Sequence, residues 1–268
     1  MNFVELLAPA RDLQSAVAAV DYGADAVYMG GAKFGARQAA GNAAEEIARA
    51  VGYAHRYGVR VHATLNTLLW DDELEEAERQ ARELIAAGVD ALIVQDMALR
   101  RMDLPVELHA STQVSNRTPE GARFLGGNRG ACSQPCRLTY DLTDGRGHTY
   151  IAGKHLLSVR DMNLSAHLGE LLDAGVTSFK IEGRLKDVNY IRNVVAFYRR
   201  ATDEALAARP RLGRASVGES VPDFTPDTAK SFTRGESEYF FAGRCAGVAS
   251  FDTPKAVGEP IGRVVRVE

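Results

Sequence analysis

Cysteine is scarce in this chain, with three among 268 residues. Three thiols cannot build the disulfide framework of a secreted domain, and in a reducing compartment a close pair more often binds metal or does redox work. Long apolar runs are missing, so no membrane span is expected. The opening "MNFVELLAPA" lacks a basic region followed by a long apolar core, which argues against a secretory signal and for the cytoplasm. An excess of charge is lacking as well. Lys and Arg number 32 against 35 Asp and Glu, a formal net charge of -3, so any contact with nucleic acid requires a local patch. The signatures G-x-S-x-G, H-E-x-x-H, G-x-x-x-x-G-K-[ST] and G-x-G-x-x-G are all absent. A conventional serine hydrolase, zincin, P-loop or dinucleotide-binding enzyme is therefore unsupported.

What is present is a repeated joint. "YGADAVYMGG" (22–31), "AGVDALIVQD" (87–96) and "AGVTSFKIEG" (174–183), with "YGVRVHATLN" (57–66) as a looser fourth, each set a glycine suited to a helix end before a strand-like apolar run. Between them lie helices. "DDELEEAERQARELIAAG" offers Asp71 as a cap, Leu74, Ala77, Ala81, Leu84 and Ile85 as one face, and Glu75–Arg79 and Glu78–Arg82 as pairs on its wet side. A later helix spans about 187–208, with Val188, Ile191, Val195 and Tyr198 as its stripe.

Strands are expected near 3–8, 25–30, 59–65, 90–95, 106–111 and 177–182, alternating with helices, which predicts a parallel α/β sheet and a TIM-like (β/α) barrel. Eight strands close such a ring, and the missing two would fall between Ser111 and Thr177, where the pattern breaks. There "NRGACSQPCR" (128–137) interrupts, followed by "LTYDLTDGRGHTYIAG", whose Asp144–Gly145 pair reads as a hairpin. Residues 1–208 are assigned to the barrel, with the cysteine loop and hairpin at 128–152. Residues 209–268 are a C-terminal extension leading towards a small β module.

The strands alternate. In "VRVHATLN" Val59, Val61, Ala63 and Leu65 oppose Arg60, His62, Thr64 and Asn66; Val106, Leu108 and Ala110 oppose Glu107, His109 and Ser111; Phe179 and Ile181 oppose Lys180 and Glu182. Helices cover the apolar side, so the polar side faces inward, where unpaired ionisable groups are costly and suggest either a site or a structural ion-pair network. Chemistry in such barrels sits at strand C-termini, which favours Asn66, Asp96, His109, Ser111, Gln113, Glu182 and Arg184 over Arg60 and Glu107.

Cys132 and Cys136 stand in a loop held by Gly130 and Pro135, where Arg129 and Arg137 would stabilise thiolates. C-x₃-C alone is a weak signal, and Cys245 is far away in sequence. At this point "ELLAPA", "GADAVYMGG" with "FGAR", "VHATLNTL", "GVDALIVQD", "LHASTQ", "RGACSQPCR", "LLSVRDMNL", "AGVTSFKIEGRLKD" and "FDTPKAVGEPIG" together resemble the collagenase-like peptidase family U-32.

The resemblance implies a TIM-like barrel with a [4Fe–4S] cluster on four cysteines. It implies RNA hydroxylation of a tRNA uridine or an rRNA cytidine, with prephenate as co-substrate, and the chain's ending is most similar to the rRNA branch. Other members are named as collagen-directed proteases or act on quinone precursors. Cys132 and Cys136 match the last two cysteines of the quartet. The first two, together with about two strand–helix units, would lie between Gly127 and Asn128. A natural deletion and an omitted stretch both account for this, and the second is preferred because losing two strands would expose sheet edges and core.

On this reading His109, Gln113, Lys180, Glu182 and Arg184 are the catalytic candidates. Arg37, Asn66, Asp96 and Ser111 would bind substrate, while Arg199, Arg200, Arg209, Arg211 and Arg214 are candidates for phosphate contacts. A peptidase would instead need Cys132 with a histidine, or Ser111 with His109.

Overall fold

In the computed structural model, which describes residues 2–36, 41–114, 135–183, 186–258 and 262–266, strand and helix alternate as the joints require. β1 (Asn2–Pro9) leads to α1 (Leu13–Asp21), capped by the Asp12 carboxylate, which accepts from the Ser15 N–H at 2.9 Å. Gly23, at φ +104°, ends this helix in a conformation that strains other residues. β2 (Ala26–Gly31), the two-residue β3 (Gly41–Asn42), α2 (Ala44–Ala54) and β4 (Arg60–Leu65) follow.

The next helix does not begin on an Asp71 cap. A 3₁₀ turn, Asp71–Glu73, precedes α3 (Leu74–Ala86), and Glu73 caps it by accepting from the Trp70 N–H at 2.9 Å. The Glu78–Arg82 pair forms as expected. Beyond α3 come β5 (Ala91–Val94), β6 (Glu107–Ala110), the hairpin β7 (Tyr140–Thr143) and β8 (Thr149–Lys154), β9 (Asp161–Met162), α4 (Leu168–Asp173), β10 (Ser178–Lys180) and α5 (Val188–Ala207). β11 (Leu212–Arg214) and β12 (Glu236–Ser237) complete the strands. The hairpin loop is wider than a two-residue turn, and the Asp144 carboxylate organises it by accepting from the N–H groups of Arg146 and His148. Residues 262–266 form no strand.

The main sheet runs β10-β1-β2-β4-β5-β6, all parallel. Successive strands are neighbours, and the last of the six returns to pair with the first, which is the order of a barrel. Among the described residues the arc stays open between β6 and β10. The six strands are the six read from sequence, while the Gly127–Asn128 junction lies outside the described residues. β11 extends β10 along β1, pairing Asn2–Val4 while β10 pairs Glu5–Leu7.

Period-2 alternation sorts the two faces. Leu6, Ala8, Val27, Met29, Val61, Ala63, Leu65, Leu92 and Val94 join Ile47, Leu84, Ile191 and Val195 from the helices in one buried core. The opposite, inner face is more mixed than expected. Leu7, Ala26, Tyr28 and Ile93 form an apolar patch there, set among Glu5, His62, Thr64 and Asn66.

At the N-terminal end of β2, Asp25 is fully buried and accepts from the Leu6 N–H, both donors of Ser216, Arg199 and Arg214. Of the arginines expected to contact phosphate, Arg199 is thereby corrected, because its guanidinium is buried in this knot. Arg199 is buried between Asp25 and Asp203, Arg214 is held by Asp25, Arg200 pairs with Glu204 and Arg209 with Asp173. Among the described residues no helix is long and apolar enough to cross a membrane.

Candidate active site

The inner wall carries a polar belt across four strands. Ser178 of β10 donates to Glu5 of β1 at 2.9 Å, Glu5 pairs with Arg60 of β4, and Arg60 stands 3.8 Å from Glu107 of β6. Glu107 accepts from His109 at 3.0 Å, and this hydrogen bond holds its carboxyl below the usual range. His109 meets His62 edge to face, ring centroids 4.8 Å apart.

His62 is the anomaly of the wall. It is completely buried, and neither ring nitrogen has a hydrogen-bond partner among the described residues. Burial pushes its pKa down to about 4; Glu5 pulls the other way, while His109 and Arg60 add to the depression. It is a neutral imidazole at pH 7 with both hydrogen-bonding positions open, the kind of buried polar group that structural packing leaves unexplained.

A second cluster stands along the same face. Lys180 pairs with Glu182 at 3.4 Å, and its ammonium sits 4.5 Å from the centre of the Tyr28 ring. The Tyr28 hydroxyl donates to the Ile181 carbonyl at 3.1 Å and lies 3.5 Å from the Glu182 carboxylate. Tyr28 is also the cross-strand neighbour of His62, which places it between the two clusters. A cavity of about 400 Å³ wraps the β10 edge and takes in Lys180 and Glu182. Another cavity, of about 620 Å³, lies along α5 and the 223–232 segment, away from the belt.

The remaining candidates hold the loops at the strand C-termini. Asn66 accepts from the Ala36 N–H at 3.0 Å and donates to Ser111 at 3.1 Å, and the Ser111 hydroxyl accepts from the Gln113 N–H at 3.2 Å. Asp96 accepts from the N–H groups of Leu69 and Ala98, both at 2.9 Å. These residues fix four separate loops with the hydrogen bonds expected to serve a substrate. Ser111 is buried and bonded to Asn66, while His109 bonds to Glu107, so no Ser111–His109 dyad forms. Replacing Asp96 by alanine is expected to loosen the 67–70 and 97–98 loops together, read as faster amide exchange at Leu69 and Ala98 with the β4 and β5 amides unchanged.

Arg37, Arg184 and Cys132 lie outside the described residues. Cys136 is half-buried, whereas Cys245 is exposed and its thiol donates to the Tyr239 carbonyl at 3.0 Å. No cluster of three or more His, Cys, Asp or Glu side chains at metal-binding range occurs among the described residues. Three cysteines cannot supply the four thiolates of a [4Fe–4S] cluster, so the donor set of this chain does not fit that group by itself. Sequence reasoning missed Tyr28 and Glu5, each masked in a run of apolar letters.

A family model described as Peptidase family U32 matches residues 11–126 and 126–247. The chain is 43% identical to the 23S rRNA 5-hydroxycytidine C2501 synthase of Escherichia coli, over 98% of its own length and 49% of that enzyme's. It thus spans about half the length of that relative. It is 29% identical to the tRNA hydroxylation protein P1 of Bacillus subtilis over 88% of this chain and 72% of that one. A collagenase of Porphyromonas gingivalis is 24% identical over 76% of this chain and 66% of its own.

Proposed function

The chain belongs to peptidase family U32, and from that premise we propose that it hydroxylates a pyrimidine of RNA, an rRNA cytidine or a tRNA uridine. The observation that carries this reading is the 43% identity to an rRNA cytidine hydroxylase through almost the whole chain. The inner wall is suited to the task. Lys180 supplies a cation for a carboxylated co-substrate, for which prephenate is the proposed molecule, and Arg184 would add a second. His109, oriented by Glu107 and backed by the buried, neutral His62, would present imidazole to a bound ring, and Glu182 with Gln113 offers further polar contact. The Ser111–His109 form of the peptidase alternative is weakened because, among the described residues, Ser111 bonds to Asn66 and His109 to Glu107.

The cluster belongs to the proposal with a condition. Cys132 and Cys136 would be two of its ligands, and the other two must come from outside these 268 residues. The alignment with the rRNA hydroxylase runs over 320 positions although the chain has 268 residues, so at least 52 positions have no counterpart here. The two family matches meet at Gly126, and a barrel unit takes roughly 30 residues. We propose that the intact protein carries two further strand–helix units between Gly127 and Asn128. Peptide mapping of the protein from its native source is then expected to place at least 52 residues between Gly127 and Asn128, and a peptide that reads directly from Gly127 into Asn128 would refute the insertion.

For the activity itself, the test is complementation of a strain lacking the gene. Wild type should restore a hydroxylated pyrimidine, and His109→Ala or Lys180→Ala should reduce it by roughly 10²-fold or more. Restoration at wild-type level by both variants, or gelatin cleavage by protein stripped of iron, would overturn the reading.

A further inference from the structure

The only tryptophan of the chain, Trp70, is 65% exposed, and it stands in the loop that leaves the C-terminal end of β4. Met97, in the loop leaving β5, is 59% exposed. Single exposed apolar side chains are ordinary, but these two stand on backbone that is held by hydrogen bonds. The Asp96 carboxylate accepts from the N–H of Leu69, next to Trp70, and from the N–H of Ala98, next to Met97. Glu73 fixes the Trp70 N–H itself. A single carboxylate therefore clamps both loops, and each presents one polarizable side chain at the rim where barrel enzymes receive substrate.

We propose that Trp70 and Met97 form a stacking lip for an unpaired nucleobase of single-stranded RNA beside the base to be modified. This rests on the RNA reading given above and names the subsite that would hold the strand. Stacking on an indole suits any base, since every base has a π face, and it needs no sequence readout. The charges around the lip say how the strand would run. Asp71, Asp72, Glu73, Glu75 and Glu76 follow Trp70 into α3 and would repel phosphates, whereas Arg100 and Arg101, exposed just after Met97, have no acidic partner among the described residues. The backbone would leave on the Arg100–Arg101 side, with the base laid across Trp70.

Because Trp70 is the sole indole, its fluorescence reports the lip directly. Titrating the full chain with a pyrimidine-rich single-stranded RNA oligonucleotide should quench it, and inorganic polyphosphate at equal charge should not. By anisotropy of labelled RNA, Trp70→Ala should bind roughly tenfold more weakly and Trp70→Phe within about threefold of wild type. Arg100→Ala with Arg101→Ala should lower the slope of log K against log salt by about 1 to 2. The thermal midpoints of all variants should match wild type, since these side chains are exposed.

Unchanged RNA affinity in Trp70→Ala, or equal quenching by polyphosphate, overturns the lip. If Trp70→Ala binds normally while a strain carrying it keeps its RNA hydroxylation, the lip fails and the parent function stands. If the wild type itself restores no hydroxylation, the parent function fails.

Discussion

Asp25→Ala is expected to cost the fold about 3–5 kcal/mol, the largest single-residue effect on stability in the molecule. The carboxylate is fully buried and takes five hydrogen bonds, from the Leu6 N–H at 2.9 Å, Arg199 at 2.8 Å, Arg214 at 3.0 Å, and the Ser216 N–H and hydroxyl at 3.2 and 2.6 Å. Those donors come from β1, α5, β11 and the segment beyond it, so one side chain ties the first strand of the barrel to its last helix. Removing it strands the guanidinium of Arg199, itself buried, with only Asp203 left. An uncompensated buried charge costs more than a lost neutral hydrogen bond, which makes the alanine change worse than removal of both partners. Asp25→Ala combined with Arg199→Met should accordingly be more stable than Asp25→Ala alone. Urea midpoints at pH 7 read both comparisons, and a single-variant loss below about 1 kcal/mol would show that the knot does not carry the weight assigned to it.

The second large effect concerns acid. His62 stays neutral in the folded protein down to about pH 4 because burial disfavours its cation, whereas in the unfolded chain it takes up a proton near pH 6.5. Between those values the unfolded state binds the extra proton, so stability falls as pH drops through the window and levels off below it. The full loss is roughly 3 kcal/mol. The charged and titratable groups that act on it are Glu5, His109, Arg60 and Asp90. The difference between wild type and His62→Leu isolates the imidazole. That difference should change by roughly 3 kcal/mol between pH 7 and pH 4, with the variant equal or more stable at pH 7, since it removes two unpartnered nitrogens. A difference constant across this range would mean that His62 does not titrate as assigned.

Strand positions were legible because one face of each strand is packed by helices. Val61, Ala63 and Leu65 must alternate with His62 and Thr64, and Gly23 and Gly88 mark helix ends by conformations few other residues adopt. Strands β1 and β2 are buried on both faces for most of their length, so their letters lose the alternation, and Glu5 and Tyr28 were invisible as members of the inner wall. Long-range partners are a different failure. Asp25 and Arg199 are 174 positions apart, and no local rule connects them, so Arg199 read as a free surface cation. Asp96 and Ser111 were correctly placed at strand ends, but a short polar side chain there serves its own loop backbone as readily as a ligand. His62 and His109 converge as the inward-facing alternation required, while Lys180 and Glu182 form a neighbouring cluster joined through Tyr28.

The claim on which everything functional turns is that this inner wall serves RNA hydroxylation. Nucleoside mass spectrometry of rRNA and tRNA from cells with and without the gene measures it most directly. The account predicts that one pyrimidine nucleoside loses a single oxygen atom when the gene is deleted and regains it with the wild-type gene, but not with His109→Ala. Identical nucleoside profiles in the deleted and parent strains would contradict it.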